Sequence, residues 1–467
     1  MGSQAAKMGL RARNSPGPTQ VLANFVAHTR WSDLPARVQA RVRDMVIDTF
    51  ASALGGHDAA ESAMIQSTAA RILGGGTSPV IGGAAMSQAA ATLANGYLIT
   101  AVNLCDVHHA TLCHVTPEVV PPALAVAEDR DVSGADFLTA VGLGLEVTTR
   151  IGVGTHYDEF RRRGWHSPGV AGPFGGGAAA GRLLGLDAEA TCNAFGLAGS
   201  QAAGSFAQLG TPTIKFTQAR AALSGLLAAK LAASGMSAAS EILTNPVGGL
   251  YGTHSDGGDP DAVTSGLGER WELEQCSLRP WPVAAHLQNT VAAVLDLLHD
   301  EPEASTEVAS LELSLPTQAH SLHAAVGWDD RFRARLSARF VASVVLHDRR
   351  CWLDQFTAER VSDPRTGAFA RAHVSVLHQP SLPASAVVLR AKYADGREVV
   401  VERLVPKGDP ADPLSGADVL AKFQNAAAGR LPETTTARLL EILPALEEQP
   451  HLGAIIRSLG PTDAAFA

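Results

Sequence analysis

The sequence predicts a mainly α protein in which a large helical domain is interrupted by a smaller α+β insertion. Three observations predict it. The 467 residues are 46% hydrophobic, with alanine dominant, 45 glycines and only 5% aromatics, and small side chains of this kind let helices approach closely. Apolar residues recur at helical spacing before Cys276 and again after Ser415, whereas the stretch between them contains alternating, strand-like runs. A chain of this length exceeds what one core usually organises. The expected division is residues 20–276 and 409–467 for the helical domain and 277–408 for the insertion.

Taken in order, Met1 to Gln20 reads as a polar, mobile leader. Val38, Val42, Met45, Val46, Phe50 and Leu54 then share one helix face, with Arg37, Arg41 and Arg43 on the other. Gly55 and Gly56 are expected to stop that helix. A second helix is expected from Ala59 to Leu73, ahead of three glycines, and a third from Ser87 to Val102. After Pro121-Pro122 the run ALAVAEDR reads as helix, and Ser133 caps another from Gly134 to Gly152.

The glycine-rich stretch Gly164 to Leu186 lacks the Gly-Lys-Ser/Thr ending of a phosphate loop and follows no apolar strand. Close helix packing explains it better. Lys215 opens a long Ala/Leu helix that runs to Gly235, where a lysine opposes the helix dipole; either an anion partner or a solvent-seeking side chain accounts for it. In the insertion, Ser310 to Leu315 alternates, and Ala386 to Val405 reads as two strands around an Asp395-Gly396 turn. Helices are expected before and between them, at Asn289 to His299 and Arg335 to Leu346, and Ser415 caps a last one.

A net charge of −9 with scattered signs excludes a nucleic-acid surface. The longest apolar run, Ala219 to Gly235, is broken by Arg220, Ser224 and Lys230, so it reads as a core helix and not a membrane span. Five cysteines at irregular spacings, with no secretory signal before the first helix, fit a reduced cytoplasmic chain. The partners expected are small molecules.

The stretch Asn103 to Pro122, NLCDVHHATLCHVTPEVVPP, concentrates Cys105, Asp106, His108, His109, Cys113 and His114 in one loop. It reads as a reactive site or as a capped connection between two core helices. Its spacing matches no common zinc pattern, and no metal is expected.

Five blocks in order, NGYLITAVNLCDVHHATLCH, GWHSPGVAGPFGGGAAAGRLLGLD, GTPTIK with its helix, LRPWP, and GDPADPLSGADVLAKF, resemble the MmgE/PrpD family from about Val21 to Gly429. That family includes 2-methylcitrate dehydratase, cis-aconitate decarboxylase and iminodisuccinate epimerase. The resemblance implies an all-helical domain with a smaller lid domain, a homodimer, and cofactor-free chemistry on small polycarboxylates. It implies Asp106, His114, His166 and His320 as catalytic residues, and Asn103, His108, Lys215 and Arg279 as substrate-binding ones. His286 lies near Arg279 but off the family positions. Where the family usually reads LDFDDTH this chain reads NLCDVHH, so Asn103 and Cys105 replace acids and Val107 a threonine. Arg279 replaces a lysine, His320 the tyrosine of the decarboxylase, and Gln288 and Ala292 a histidine-and-acid pair.

The activity implied is a lyase on a small di- or tricarboxylic acid, by dehydration or decarboxylation through a carbanion or enolate-like intermediate. An isomerase or epimerase of a related acid is the alternative, and a non-catalytic acid-binding member is the third reading. Each reactive outcome needs cations for the carboxylates, which Lys215 and Arg279 supply, and a base near neutral pH, which histidine supplies. The loss of the acid at position 103 argues against the methylcitrate reaction.

Overall fold

The computed structural model describes residues 16–460. The expected leader lies outside them as far as Ser15, and its last residues already belong to the helix Pro18–His28. The protein is mainly α, with its strands confined to small sheets. Among the described residues no helix is long and apolar enough to cross a membrane.

The helices form where the apolar spacing places them. Ala36–Gly56 buries Val38, Val42, Met45, Val46 and Phe50. It runs through Gly55 and Gly56 instead of stopping before them, because both glycines are buried against neighbouring segments, and a Cβ on Gly56 would overlap the Leu98 backbone. Ser87 caps Gln88–Thr100 by accepting from Ala90 N, and Ser133 caps Gly134–Val153 by accepting from Asp136 N.

Two alanine- and glycine-rich helices, Ser167–Leu184 and Thr213–Ala233, cross at Gly176 and Gly225. A Cβ on Gly225 would stand 2.8 Å from the Gly176 backbone. The glycine run is thus a helix-packing surface.

A second expectation also fails in the first half. The helix after the histidine loop begins at Thr116, not after Pro121-Pro122, and both prolines lie inside it. Proline lacks the N–H that would bond four residues back, so the carbonyls of Pro117 and Glu118 lose their helical donors. Those carbonyls face Gly96 and Gly176, where the absence of a Cβ admits them.

The alternating segments form a four-stranded sheet in the order Val374–His378, Val308–Leu315, Val387–Tyr393, Glu398–Arg403. The first pair is parallel and the others antiparallel. Val374–His378 was not anticipated, and its side chains alternate poorly between buried and exposed. The short hairpin Ser78–Val80 with Gly83–Met86 was also missed.

Two cores result. One gathers buried residues from Leu22 to Leu278 and from Leu414 to Leu459; the other gathers Val283 to Tyr393. A smaller cluster, Tyr97, Ala101, Val102, Leu104 and Ala219 with Leu353, joins the two regions.

Candidate active site

The histidine loop is held by backbone pairing before any side chain acts. Val107–His108 pairs antiparallel with Cys276–Ser277, which places the loop beside Arg279. The Arg279 guanidinium then donates from Nε to Cys105 O at 2.6 Å and from Nη2 to Cys105 Sγ at 3.3 Å. Lys422, on the helix Gly416–Ala427, donates to Asp48 Oδ1 at 2.5 Å, Leu104 O at 2.7 Å and Arg279 O at 2.8 Å. Three distant segments are thereby fixed to one another.

Around these contacts lies a cavity of about 130 Å³, below the several hundred Å³ of a drug-sized site and suited to a small acid. Asn103, His114, His166, Lys215 and Arg279 line it, together with Gln218, His286 and His323. Phe206, Leu209, Ile214, Leu322 and Phe332 supply apolar wall. Its lining therefore comes from both cores. Asn103 and Leu112, both on the wall, adopt left-handed backbone with φ of 59° and 44°, a conformation that is costly for leucine and that concentrates at functional sites.

The cationic groups are two. Lys215 is buried, and its ammonium bonds no described residue. Burial, with Arg279 nearby, brings its pKa down to about 7. An anion binding beside it would restore the charged form.

The histidines are neutral. His114 donates from Nδ1 to the carbonyl of Asp106 at 2.7 Å, because a carbonyl can only accept; its Nε2 therefore carries the lone pair. Burial, then Arg279 and Lys215, hold its pKa well below the ordinary histidine value. His166 reaches no side-chain partner, and burial with Lys215 brings it down to about 3.

On the opposite core, His323 donates from Nδ1 to Leu336 O at 2.9 Å, so its Nε2 accepts from His286 Nδ1 at 3.4 Å. That chain leaves the lone pair of His286 on Nε2. Burial lowers His286 to about 4 and His323 to about 3.

Three of the residues implied by the family resemblance stand elsewhere. Asp106 does not line the cavity: its carboxylate accepts from Val115 N, Thr116 N and Thr116 Oγ1 at the start of the next helix, so it is a helix cap whose own carbonyl orients His114. His108 is fully buried, with Nδ1 at 2.8 Å from Thr111 Oγ1 and Nε2 at 3.2 Å from Glu272 Oε1. Both of its nitrogens are occupied, which leaves none for a substrate. His320 sits a turn early on Thr317–His323, with its ring 5.1 Å from that of His378; His323 faces the cavity in its place.

Sequence reasoning thus missed His323 and Gln218, and set His286 aside. The usable signal for His323 was the three-residue spacing from His320 on a helix. Among the described residues no group of three His, Cys, Asp or Glu side chains could hold a metal ion.

Comparison with known proteins bears on this geometry. The MmgE/PrpD N-terminal domain model matches residues 20–262 and the MmgE/PrpD C-terminal domain model residues 281–448. The chain is 26% identical to a cis-aconitate decarboxylase-like protein, oryM, of Aspergillus oryzae, over 94% of this chain and 96% of that protein. It is 25% identical to the cis-aconitate decarboxylase of Aspergillus terreus, over 95% and 96%, and 25% identical to the human cis-aconitate decarboxylase, over 92% of each. With both domain models matched in order along almost all of its described length, the chain belongs to the MmgE/PrpD family.

Proposed function

We propose that this protein is a cofactor-independent lyase acting on a small polycarboxylic acid. The observation that carries the reading is the convergence of Lys215 and Arg279 with the neutral imidazoles of His114 and His166 on one buried cavity. The cations pin the carboxylates and stabilise the charge that develops on the α-carbon and its carboxylate. In decarboxylation, the bond to the departing CO₂ breaks, its electron pair delocalises into the remaining carboxylate, and a protonated group returns one proton to carbon. In dehydration, a neutral histidine removes the α-proton and a protonated group delivers one to the leaving hydroxyl. The names of the relatives favour loss of CO₂.

A second reading is supported by one observation: the two pairs of histidines come from different cores, as an epimerase with an acid and a base on separate walls would require. Incubation with a panel of di- and tricarboxylates in deuterated water tests both. Release of CO₂ or water with deuterium in the product is expected. Deuterium in recovered acid without either loss would replace the lyase by the isomerase, and tight binding without exchange would leave a non-catalytic acid binder.

A further inference from the structure

Lys215 and Gln218 stand three residues apart on the helix Thr213–Ala233, neighbours on one face, and both line the cavity. Gln218 is only 1% exposed. Its Oε1 is closed off from solvent without a hydrogen-bond partner, whereas its Nε2 is not closed off and bonds no described residue. The nitrogen is thus the end of the amide that is open to the cavity. Other buried amides are engaged: Gln288 donates to Trp281 O and Val283 O, and Asn95 accepts from Ile81 N while donating to Pro79 O. A buried donor left without an acceptor is costly, and one that faces a cavity calls for an acceptor on the ligand.

The rest of the lining narrows that acceptor. An amide nitrogen carries two N–H donors and accepts nothing. No carboxylate among the described residues lines the cavity, and the Lys215 ammonium beside Gln218 is likewise open and unbonded. Two adjacent donors, one of them charged and neither satisfied by the protein, fit a single group that offers two acceptor oxygens. An ammonium acts on a carboxylate as a point charge; an amide N–H on its second oxygen fixes the plane of the group as well as its position. A fixed plane matters to the chemistry proposed above, in which an electron pair passes into a carboxylate that the protein holds.

We infer that Gln218 is a substrate-binding residue, its amide nitrogen donating to one oxygen of a substrate carboxylate whose other oxygen is held by Lys215. The inference rests on the reading of the cavity as an acid site and adds a neutral donor to its two cations.

Titration calorimetry with succinate, whose only polar groups are carboxylates, and with malate, which adds a hydroxyl, tests it. Gln218→Leu, and Gln218→Met as a second variant of closer length, should each weaken succinate about 10-fold or more, as for a donor withdrawn from a charged acceptor, and should weaken malate by the same factor. Their unfolding midpoints in urea should stay at or above that of the wild type, because the amide has no partner in the protein to lose. Succinate bound by both variants as the wild type binds it would overturn the inference, and so would a loss confined to malate, which would assign the amide to the hydroxyl. Combining Gln218→Leu with Lys215→Met tests whether one carboxylate is shared. Two donors on one group are coupled, so the loss in the double variant should differ from the product of the single losses; losses that simply multiply would place the two donors on different groups and overturn the shared contact. If the wild type binds neither acid, the acid site falls together with the inference. If Lys215→Met weakens both acids while the Gln218 variants bind them as the wild type does, the acid site stands and the Gln218 contact alone falls.

Discussion

Asp106 and His114 show how a residue's role depends on which of its atoms faces the site. The Asp106 carboxylate caps a helix, while its backbone carbonyl fixes the tautomer of His114. Asp106→Asn should therefore destabilise the protein by about 1–3 kcal/mol, through the loss of a charged acceptor for buried N–H groups, while kcat stays within a few-fold. Denaturant unfolding and kinetics measured on the same variant separate the two effects.

Lys215 makes a prediction in pH. Its folded pKa is lowered to about 7, so in the free protein the ammonium that attracts the acid is lost as pH rises through that value. The apparent affinity for a dicarboxylate should weaken above pH 7, and Lys215→Met should both weaken binding and flatten the profile. The shift also acts on stability. A lysine disfavoured in its charged form opposes folding below its folded pKa, and that opposition is relieved as pH rises towards the unfolded value near 10. Because Lys215→Met removes the buried charge, it should be no less stable than the wild type at pH 6. At position 320, by contrast, His320→Ala should keep activity that His323→Ala loses, since only His323 reaches the cavity and orients His286.

Among the elements, legibility follows whether the determinants are local. Ser87, Ser133 and Ser415 cap the helices that their sequence announced, and the hairpin around Asp395-Gly396 forms as its turn predicts. The parallel strand Val374–His378 was not legible, because its pairing with Val308–Leu315 depends on a distant partner and its own alternation is weak. The helix Thr116–Arg130 was misread because its prolines are tolerated only by neighbours that present glycine.

The histidine loop was legible as a cluster, but which histidine enters the cavity is decided by pairing with Cys276–Ser277. The glycines of the long helices were read correctly as packing residues, and they carry a prediction of their own. Gly225→Ala places a Cβ 2.8 Å from the Gly176 backbone, where no flexible side chain can give way. Overpacking of this kind costs about 1–3 kcal/mol, and a lowered midpoint in urea without a change in slope would be its signature.

For the whole molecule, the question is what keeps a cavity lined from two cores in register. Lys422 connects the parts: its ammonium bonds the carboxylate of Asp48, the carbonyl beside Asn103 and the carbonyl of Arg279. Both Lys422 and Asp48 are nearly inaccessible to solvent. Removing one partner of a buried pair leaves an uncompensated charge and costs about 3–5 kcal/mol, whereas replacing both by apolar groups is often neutral. Lys422→Met alone should therefore be strongly destabilised, and Asp48→Leu combined with Lys422→Met should recover much of that loss. The double variant still lacks the donor that joins the Leu104 and Arg279 carbonyls, so Arg279 is held only through its own side chain. Its KM for the acid should remain raised several-fold while its unfolding midpoint returns towards the wild type. Recovery of both together would show that Lys422 serves stability alone, and that the contacts of Arg279 with Cys105 are enough to place it.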